Sequence, residues 1–467
     1  MGEALSIAFQ GAARTVTGSR HLLRFGARTC LFDCGLFQGH RDEAERVNRT
    51  FRFDPAGLDA AVVSHAHLDH IGNLPTLVAR GFAGRIRATP ATADLARVML
   101  SDSAHLMERD VDHVNRHHPE RRREPLYTPG DVERTLPRLE THAYHEPWDL
   151  FPGVRVGYHD AGHILGSALT VFEVARGDER FRLGMSGDLG RPGRPILRDP
   201  ETFPGVDALV LESTYGDRLH SPSADTEKQL GEVVKRTLER GGRLLVPAFA
   251  VGRTQELVAT LHALTERGAI PSVPIFVDSP MARETTAAYT RHPECFDAET
   301  AAAFRDRHWE PFGFARLRYV ASPEESRALN DRRDPCIIVA ASGMCEGGRI
   351  LHHLRHGLPD ARNTVLFVGF QAEGTLGRRL RDGAERVNIF GDPVKRGADV
   401  AALDGFSAHA DQAELVGWVR TLKPAPRRVF LVHGEPGAAE VLAGRLREAV
   451  GAEVHVPALG EEFTLWN

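Results

Sequence analysis

The chain has 467 residues, 42 % of them hydrophobic, and a formal net charge of −5, which suits a globular protein of two domains better than one simple core. No global basic character marks a nucleic-acid binder, so an acidic polymer would have to be met by a local patch. Five cysteines (Cys30, Cys34, Cys295, Cys336 and Cys345) form no CxxC pair, which argues against a disulfide framework and against a Cys₄ zinc site. No run approaches the ~20 apolar residues of a membrane span, and residues 1–10 lack the basic start of a secretory signal. A cytoplasmic enzyme away from membranes is the expected class.

Residues 5–9, 20–24 and 28–32 read as short strands, with the Gly- and Thr-rich loop 11–18 between the first two. Asp33 ends the third. It is either a turn residue or a carboxylate that orients a metal-bound histidine from behind. Residues 58–63 are an apolar run of buried-strand type that leads into Ser64-His65-Ala66-His67-Leu68-Asp69-His70-Ile71-Gly72. A helix is expected over 73–80, a strand over 85–89 and a helix over 92–115. In the polar stretch 113–125, the run Arg121-Arg122-Arg123 reads as a solvated face rather than an RNA contact, and nothing fixes His117 and His118 in an ordered element as a metal role would require. The segment 105–145 as a whole has no assigned role. Strand 154–158 leads to Asp160 and His163. Strands 168–174 and 181–186 follow, the second leading to Asp188, and strand 207–212 ends on Glu212. A β-rich sandwich that displays ligands along one rim produces this repeated pattern.

From 213 to 400 helical and strand patterns alternate. Helices are expected over 226–240 and 252–267, and strands over 243–247, 274–278, 336–340 and 364–368. This is the rhythm of a doubly wound parallel sheet. Its strands lead into Gly252-Arg253-Thr254, Asp278-Ser279-Pro280, Ser342-Gly343-Met344 and Phe370-Gln371-Ala372-Glu373-Gly374. Ligands of such sheets sit at the carboxyl ends of the strands, and backbone N–H groups with Arg and Ser can hold phosphates there. Ordinary glycine turns explain each loop singly. The tail carries Ser407 and His409, a helix over 412–421, and a strand over 428–432 that leads to His433.

Three imidazoles and a carboxylate within six residues are ligands of the kind that hold Zn²⁺. They cannot all wrap one tetrahedral ion without strain. Two ions satisfy them: His65, His67 and His163 on one, Asp69, His70 and His433 on the other, with Asp188 and a water bridging. Such a water loses a proton readily and attacks as a metal-bridging hydroxide. His433 alone could be a core histidine. His409 is the candidate proton donor to a leaving group, and Glu212 either accepts its other N–H or is an ordinary strand-end carboxylate.

The pattern His65-x-His67-x-Asp69-His70, with Asp33, His163 and Asp188, resembles the metallo-β-lactamase superfamily. Glu212, His409 and His433 resemble the extra motifs of its β-CASP branch, as do residues 246–256 and Ser342-Gly343-Met344. The resemblance runs from about residue 5 to the end. It is greatest to bacterial ribonucleases related to the endonuclease subunit of the cleavage and polyadenylation specificity factor. It implies an α/β protein: an αββα sandwich of residues 1–212 and 401–467, interrupted by a β-CASP domain over 213–400, with substrate threading the cleft between them. It implies two Zn²⁺ per chain and hydrolysis of single-stranded RNA to 5′-phosphate and 3′-hydroxyl ends. His433 at the last motif goes with RNA rather than DNA in this branch. No N-terminal KH-type module is expected before residue 5, and the C-terminal extension typical of the ribonuclease J group is not expected either; the latter favours endonuclease over 5′-3′ exonuclease. Arg253, Ser279, Ser342, Gly343 and Ser407 are candidates to hold RNA phosphates. A homodimer is compatible with the sequence. The competing readings are a lactam or thioester hydrolase of the same superfamily, a DNA nuclease, and an inactive RNA-binding scaffold.

Overall fold

The computed structural model describes residues 4–39, 41–117, 122–221, 223–305, 312–369, 371 and 374–467. His118, Arg121, Phe370, Ala372 and Glu373, named above, lie outside these. The described residues form two compact units. One comprises the chain up to Pro192, Asp199–Leu219 and His409–Asn467, and the other Gly193–Arg198 and His220–Ala408.

The first unit holds two seven-stranded sheets. One runs in the order Glu462–Trp466, Leu5–Phe9, His21–Phe25, Arg28–Phe32, Ala60–Val62, Arg85–Ala88, Leu139–Thr141. The other runs Glu453–His455, Arg428–Val432, Ala208–Glu212, Glu179–Met185, Ala168–Arg176, Val154–Asp160, Trp148–Phe151. Side chains alternate along each strand. In Val154–Asp160 the residues Val154, Val156 and Tyr158 face inward and are buried, while Arg155 is exposed. They share one core with Phe9, Phe32, Phe172 and Phe430, contributed by both sheets. The alternate residues Leu209, Leu211 and Leu431 face the other way. They pack against Leu415, Trp418, Leu442 and Leu446 of the helices Gln412–Thr421 and Pro436–Val450. On the first sheet Leu22, Leu31, Ala61 and Ile86 are buried out of phase with the central core; the helices Leu74–Ala79 and Pro90–His117 both pack on Pro129–Thr135, and Pro90–His117 also packs on Leu139–Thr141 of this sheet. The unit is an αββα sandwich.

The second unit is built on a six-stranded parallel sheet in the order Leu317–Tyr319, Ile275–Asp278, Ile337–Ala340, Leu244–Pro247, Thr364–Phe367, Asp399–Ala402. Its central strands are buried at every position, which is why they read as unbroken apolar runs rather than alternating ones. Leu245, Phe276, Ile338 and Val365 pack on one face with Ile350, Leu354 and Leu380. Pro247 and Asp278 both stand opposite Ala340, so three neighbouring strands end level with one another.

The segment 105–145 resolves into the end of the long helix, then Pro129–Thr135 and Leu139–Thr141. Thr128 and Asp131 cap Pro129–Thr135 reciprocally, which satisfies two of its free N–H groups.

Candidate metal centre

Each candidate ligand follows a strand of the sandwich. Ala60–Val62 leads to His65, His67 and, on the short helix Leu68–Ile71, to Asp69 and His70. Val154–Asp160 leads to His163, Glu179–Met185 to Asp188, and Arg428–Val432 to His433. Close backbone approach lets these turns converge. A Cβ on Gly35 would collide with the carbonyl of Asp69, and one on Gly190 with the carbonyl of Gly162.

The donor atoms gather in two sets. In the first, His67 Nδ1 lies 3.0 Å from His65 Nε2 and 3.3 Å from His163 Nε2. Asp188 Oδ2 lies 3.4 Å from both His65 Nε2 and His163 Nε2. In the second, His433 Nε2 lies 3.2 Å from His70 Nε2 and 3.3 Å from Asp69 Oδ2. Asp188 Oδ1 lies 3.2 Å from His70 Nε2. Two ligands on a tetrahedral zinc, each bonded at about 2.0–2.1 Å, stand about 3.3–3.4 Å apart. Both sets have the edges of such a tetrahedron, and Asp188 gives one oxygen to each. His65, His70 and Asp188 are at most 1 % exposed. This donor set fits a metal centre.

The histidines are held from behind. Asp33, 1 % exposed, accepts from His70 Nδ1 at 2.7 Å, from Ser64 N at 2.8 Å and from the hydroxyls of Ser64 and Ser19 at 3.0 and 3.1 Å. That bond fixes the His70 proton on Nδ1 and leaves Nε2 to the second donor set. The Ser64 hydroxyl also lies 3.1 Å from His65 Nδ1. Thr214 Oγ1 lies 3.1 Å from His433 Nδ1, which leaves His433 Nε2 to the same set as His70. Nothing in the sequence pattern singled out Ser64 or Thr214.

Electrostatics follow from this crowding. Burial pushes the pKa of His65 well below its ordinary value, and that of His67 down to about 4. Both rings are therefore neutral, as a metal ligand must be. Burial opposes charge on His70 too, but Asp188 and Asp33 outweigh it and hold its pKa well above the ordinary value.

His409 Nδ1 lies 3.1 Å from both carboxylate oxygens of Glu212. Glu212 is fully buried and also accepts the Leu189 N–H at 2.6 Å. Burial disfavours the imidazolium of His409, but Glu212 and then Asp188 outweigh it and raise the pKa to about 9. With Nδ1 taken by Glu212, Nε2 is the nitrogen free to give a proton away. The His409 ring sits 4.6 Å from that of His163, centroid to centroid, so the Glu212–His409 pair stands beside the first donor set.

The candidate phosphate-binding residues all lie in the second unit. Ser279 and Ser342 follow the level ends of neighbouring strands, and Arg253 opens the helix Arg253–Glu266. Their polar atoms have partners inside the unit. Ser279 Oγ caps its helix by accepting from Ala282 N at 3.2 Å. Ser342 Oγ accepts from Glu346 N at 3.1 Å and Gly347 N at 3.3 Å. Arg253 donates to Glu256 at 3.3 Å. The Gly343 carbonyl accepts from Gln371 at 3.0 Å. Ser407 is 5 % exposed, and its N–H donates to Asp404 O. The ring of Phe249, 43 % exposed, lies against the face of Gly343 where a Cβ would be.

Residues 18–208 match the metallo-beta-lactamase superfamily, residues 254–380 the Beta-Casp domain, and residues 393–457 the Zn-dependent metallo-hydrolase RNA specificity domain. The chain is 42 % identical to Ribonuclease TTHA0252 of Thermus thermophilus, over 97 % of this chain and 98 % of that one. It is 36 % identical to Transcription termination factor FttA of Pyrococcus abyssi, over 86 % of this chain and 61 % of that longer protein. Among solved structures, a protein of unknown function from Enterococcus faecalis V583 shares the fold at 14 % identity, with a TM-score of 0.55 over 99 % of this chain and 100 % of that one. With these matches and this centre, the chain belongs to the β-CASP branch of the metallo-β-lactamase superfamily.

Proposed function

We propose that this chain is a zinc-dependent ribonuclease that hydrolyses phosphodiester bonds of single-stranded RNA, in RNA processing or decay. The observation that carries the reading is Asp188, shared between two sets of imidazole and carboxylate donors with the Glu212–His409 pair beside it. Imidazole nitrogens and carboxylate oxygens at tetrahedral edges favour zinc among the common divalent ions. Two zinc ions held there would supply Lewis acidity, both to a water and to the phosphoryl oxygens.

The chain's own residues do the rest. Asp33, Ser64 and Thr214 lock three imidazoles in the orientation that aims them inward. Water bonds to phosphorus through its oxygen and loses a proton to solvent as the P–O3′ bond breaks. His409 Nε2 gives its proton to the departing 3′ oxygen, leaving a 3′-hydroxyl and a 5′-phosphate. Glu212 holds His409 in the protonated form that can do this. Internal cleavage is favoured over stepwise removal from the 5′ end. The Thermus relative carries the name ribonuclease, and the match of residues 393–457 is to an RNA-specificity domain. Both favour RNA over DNA or a lactam. Among the described residues no helix is long and apolar enough to cross a membrane, and the proposed place of action is the cytoplasm.

The test is a substrate panel of labelled single-stranded RNA, single-stranded DNA and a chromogenic lactam, each with and without a zinc chelator. RNA should be cut, and the chelator should stop it. Turnover of the lactam or DNA with RNA left intact would overturn the reading.

A further inference from the structure

A second cluster of metal-ligating side chains lies in the first unit and shares no residue with the Asp188 centre. His145 stands in the connection between Leu139–Thr141 and Trp148–Phe151, His159 on the strand Val154–Asp160, and Glu201 after Asp199. One donor atom from each falls within 4.8 Å of the other two. We propose that His145, His159 and Glu201 form a further Zn²⁺ site, with water completing the tetrahedron.

Three features set this cluster apart from a chance surface ion pair. Glu201 is pinned twice to the same strand residue. Its N–H donates to Asp160 O at 2.9 Å, and its Oε2 accepts Asp160 N–H at 3.0 Å. Trp418 Nε1 donates to the Glu201 carbonyl at 2.8 Å. The carboxylate is thus fixed with Oε1 presented to His145 Nε2 at 3.2 Å, close to the edge expected between two ligands of one zinc.

His145 is fixed as well. Its N–H donates to Tyr158 O at 3.0 Å, and its backbone takes φ +64°, a conformation uncommon outside glycine and enriched in Asn, Asp and His. This brings its ring edge-on to His159, with centroids 5.3 Å apart. His159 is half-buried, its Nδ1 3.9 Å from Glu201 Oε2. Burial, and then His145, lower its pKa against the opposing pull of Glu201, so the ring is offered neutral, as a ligand must be.

Two imidazoles and one carboxylate are a recurrent zinc set that leaves the fourth position to water. An ion here would tie residue 201 and the loop at 145 to the strand that leads, four residues after His159, to His163. The inference does not rest on the ribonuclease reading.

The experiment is equilibrium dialysis of the full chain against zinc, with metal per chain counted by plasma mass spectrometry. It compares the wild type with His145→Asn, which keeps the tolerated positive φ, and with His159→Gln. Circular dichroism checks the fold of each. Both variants should bind one ion per chain fewer than the wild type, whatever the total, and cobalt absorption in the visible should show the same loss. Equal metal counts in the wild type and both variants would overturn the proposal, and so would cobalt spectra that do not change.

Discussion

Replacing Asp33 with Asn tests how the ligands are held, without touching a ligand. Asn keeps the size of the side chain and tolerates the φ of +60° that residue 33 adopts. It removes the charge, and one of its two acceptor oxygens becomes a donor. The four donors now satisfied by Asp33, at 2.7–3.1 Å, cannot all be met by one amide oxygen. One consequence is that His70 loses the partner that keeps its proton on Nδ1, so the tautomer with Nε2 blocked becomes populated. Loss of such an outer partner costs about 10–100-fold in metal affinity, which is about 1.4–2.8 kcal/mol. The assay is competition with a fluorescent zinc chelator, followed by direct metal counting. The expected outcome is a weaker second donor set (Asp69, His70 and His433), with the first set shifted less. A D33N protein that holds both ions as tightly as the wild type would refute the idea that Asp33 orients His70.

Two further outcomes follow from other parts of the molecule. His409→Ala should retain its metal while turnover falls by about 10²–10⁴-fold, the usual worth of a positioned proton donor; joint loss of metal and activity would make His409 a ligand instead. Asp278, buried in the second unit, accepts from Arg349 and His353 at 2.6 Å each and from Ser326 at 2.5 Å. Burial alone would raise its pKa, but these bonds outweigh it and hold the carboxyl below its ordinary value of 3.8. A depressed folded-state pKa means stability that is present in full above the unfolded value and lost as pH falls through the folded one. Asp278→Asn should therefore cost about 3–5 kcal/mol at neutral pH, and the gap to the wild type should shrink below about pH 4. Urea unfolding at several pH values measures this, and a gap that does not vary with pH would contradict it.

The sandwich and the parallel sheet were legible because their strands obey two different burial rules. Alternation marks strands with one outward face, and unbroken apolar runs mark strands buried on both. The gathering of these histidines and carboxylates was legible because His65 to His70 is so dense in candidate ligands, and because His163, Asp188 and His433 each stand just past a strand. What holds the ligands was not legible. Ser64 bonds a residue 31 positions away and Thr214 one 219 positions away, and neither a lone Ser before a histidine nor a Thr with no histidine near it in sequence carries a signal of that. The same limit applies to the loops of the second unit. Ser279 before Pro280 is equally the start of a phosphate site and an ordinary helix cap, and its hydroxyl serves the helix Pro280–Arg291, which the sequence reading did not mark. His145 and Glu201 are 56 residues apart, and only the strand between them brings them together.

The central claim is that water, activated at the Asp188 centre, cleaves RNA at phosphorus with His409 protonating the 3′ oxygen. Cleavage of a defined RNA in H₂¹⁸O, with the product ends read by mass spectrometry, tests it most directly. The account predicts ¹⁸O in a new 5′-phosphate and a free 3′-hydroxyl on the upstream fragment. A 2′,3′-cyclic phosphate with no ¹⁸O at the 5′ end would mean that the RNA's own 2′-hydroxyl attacks, and would contradict it.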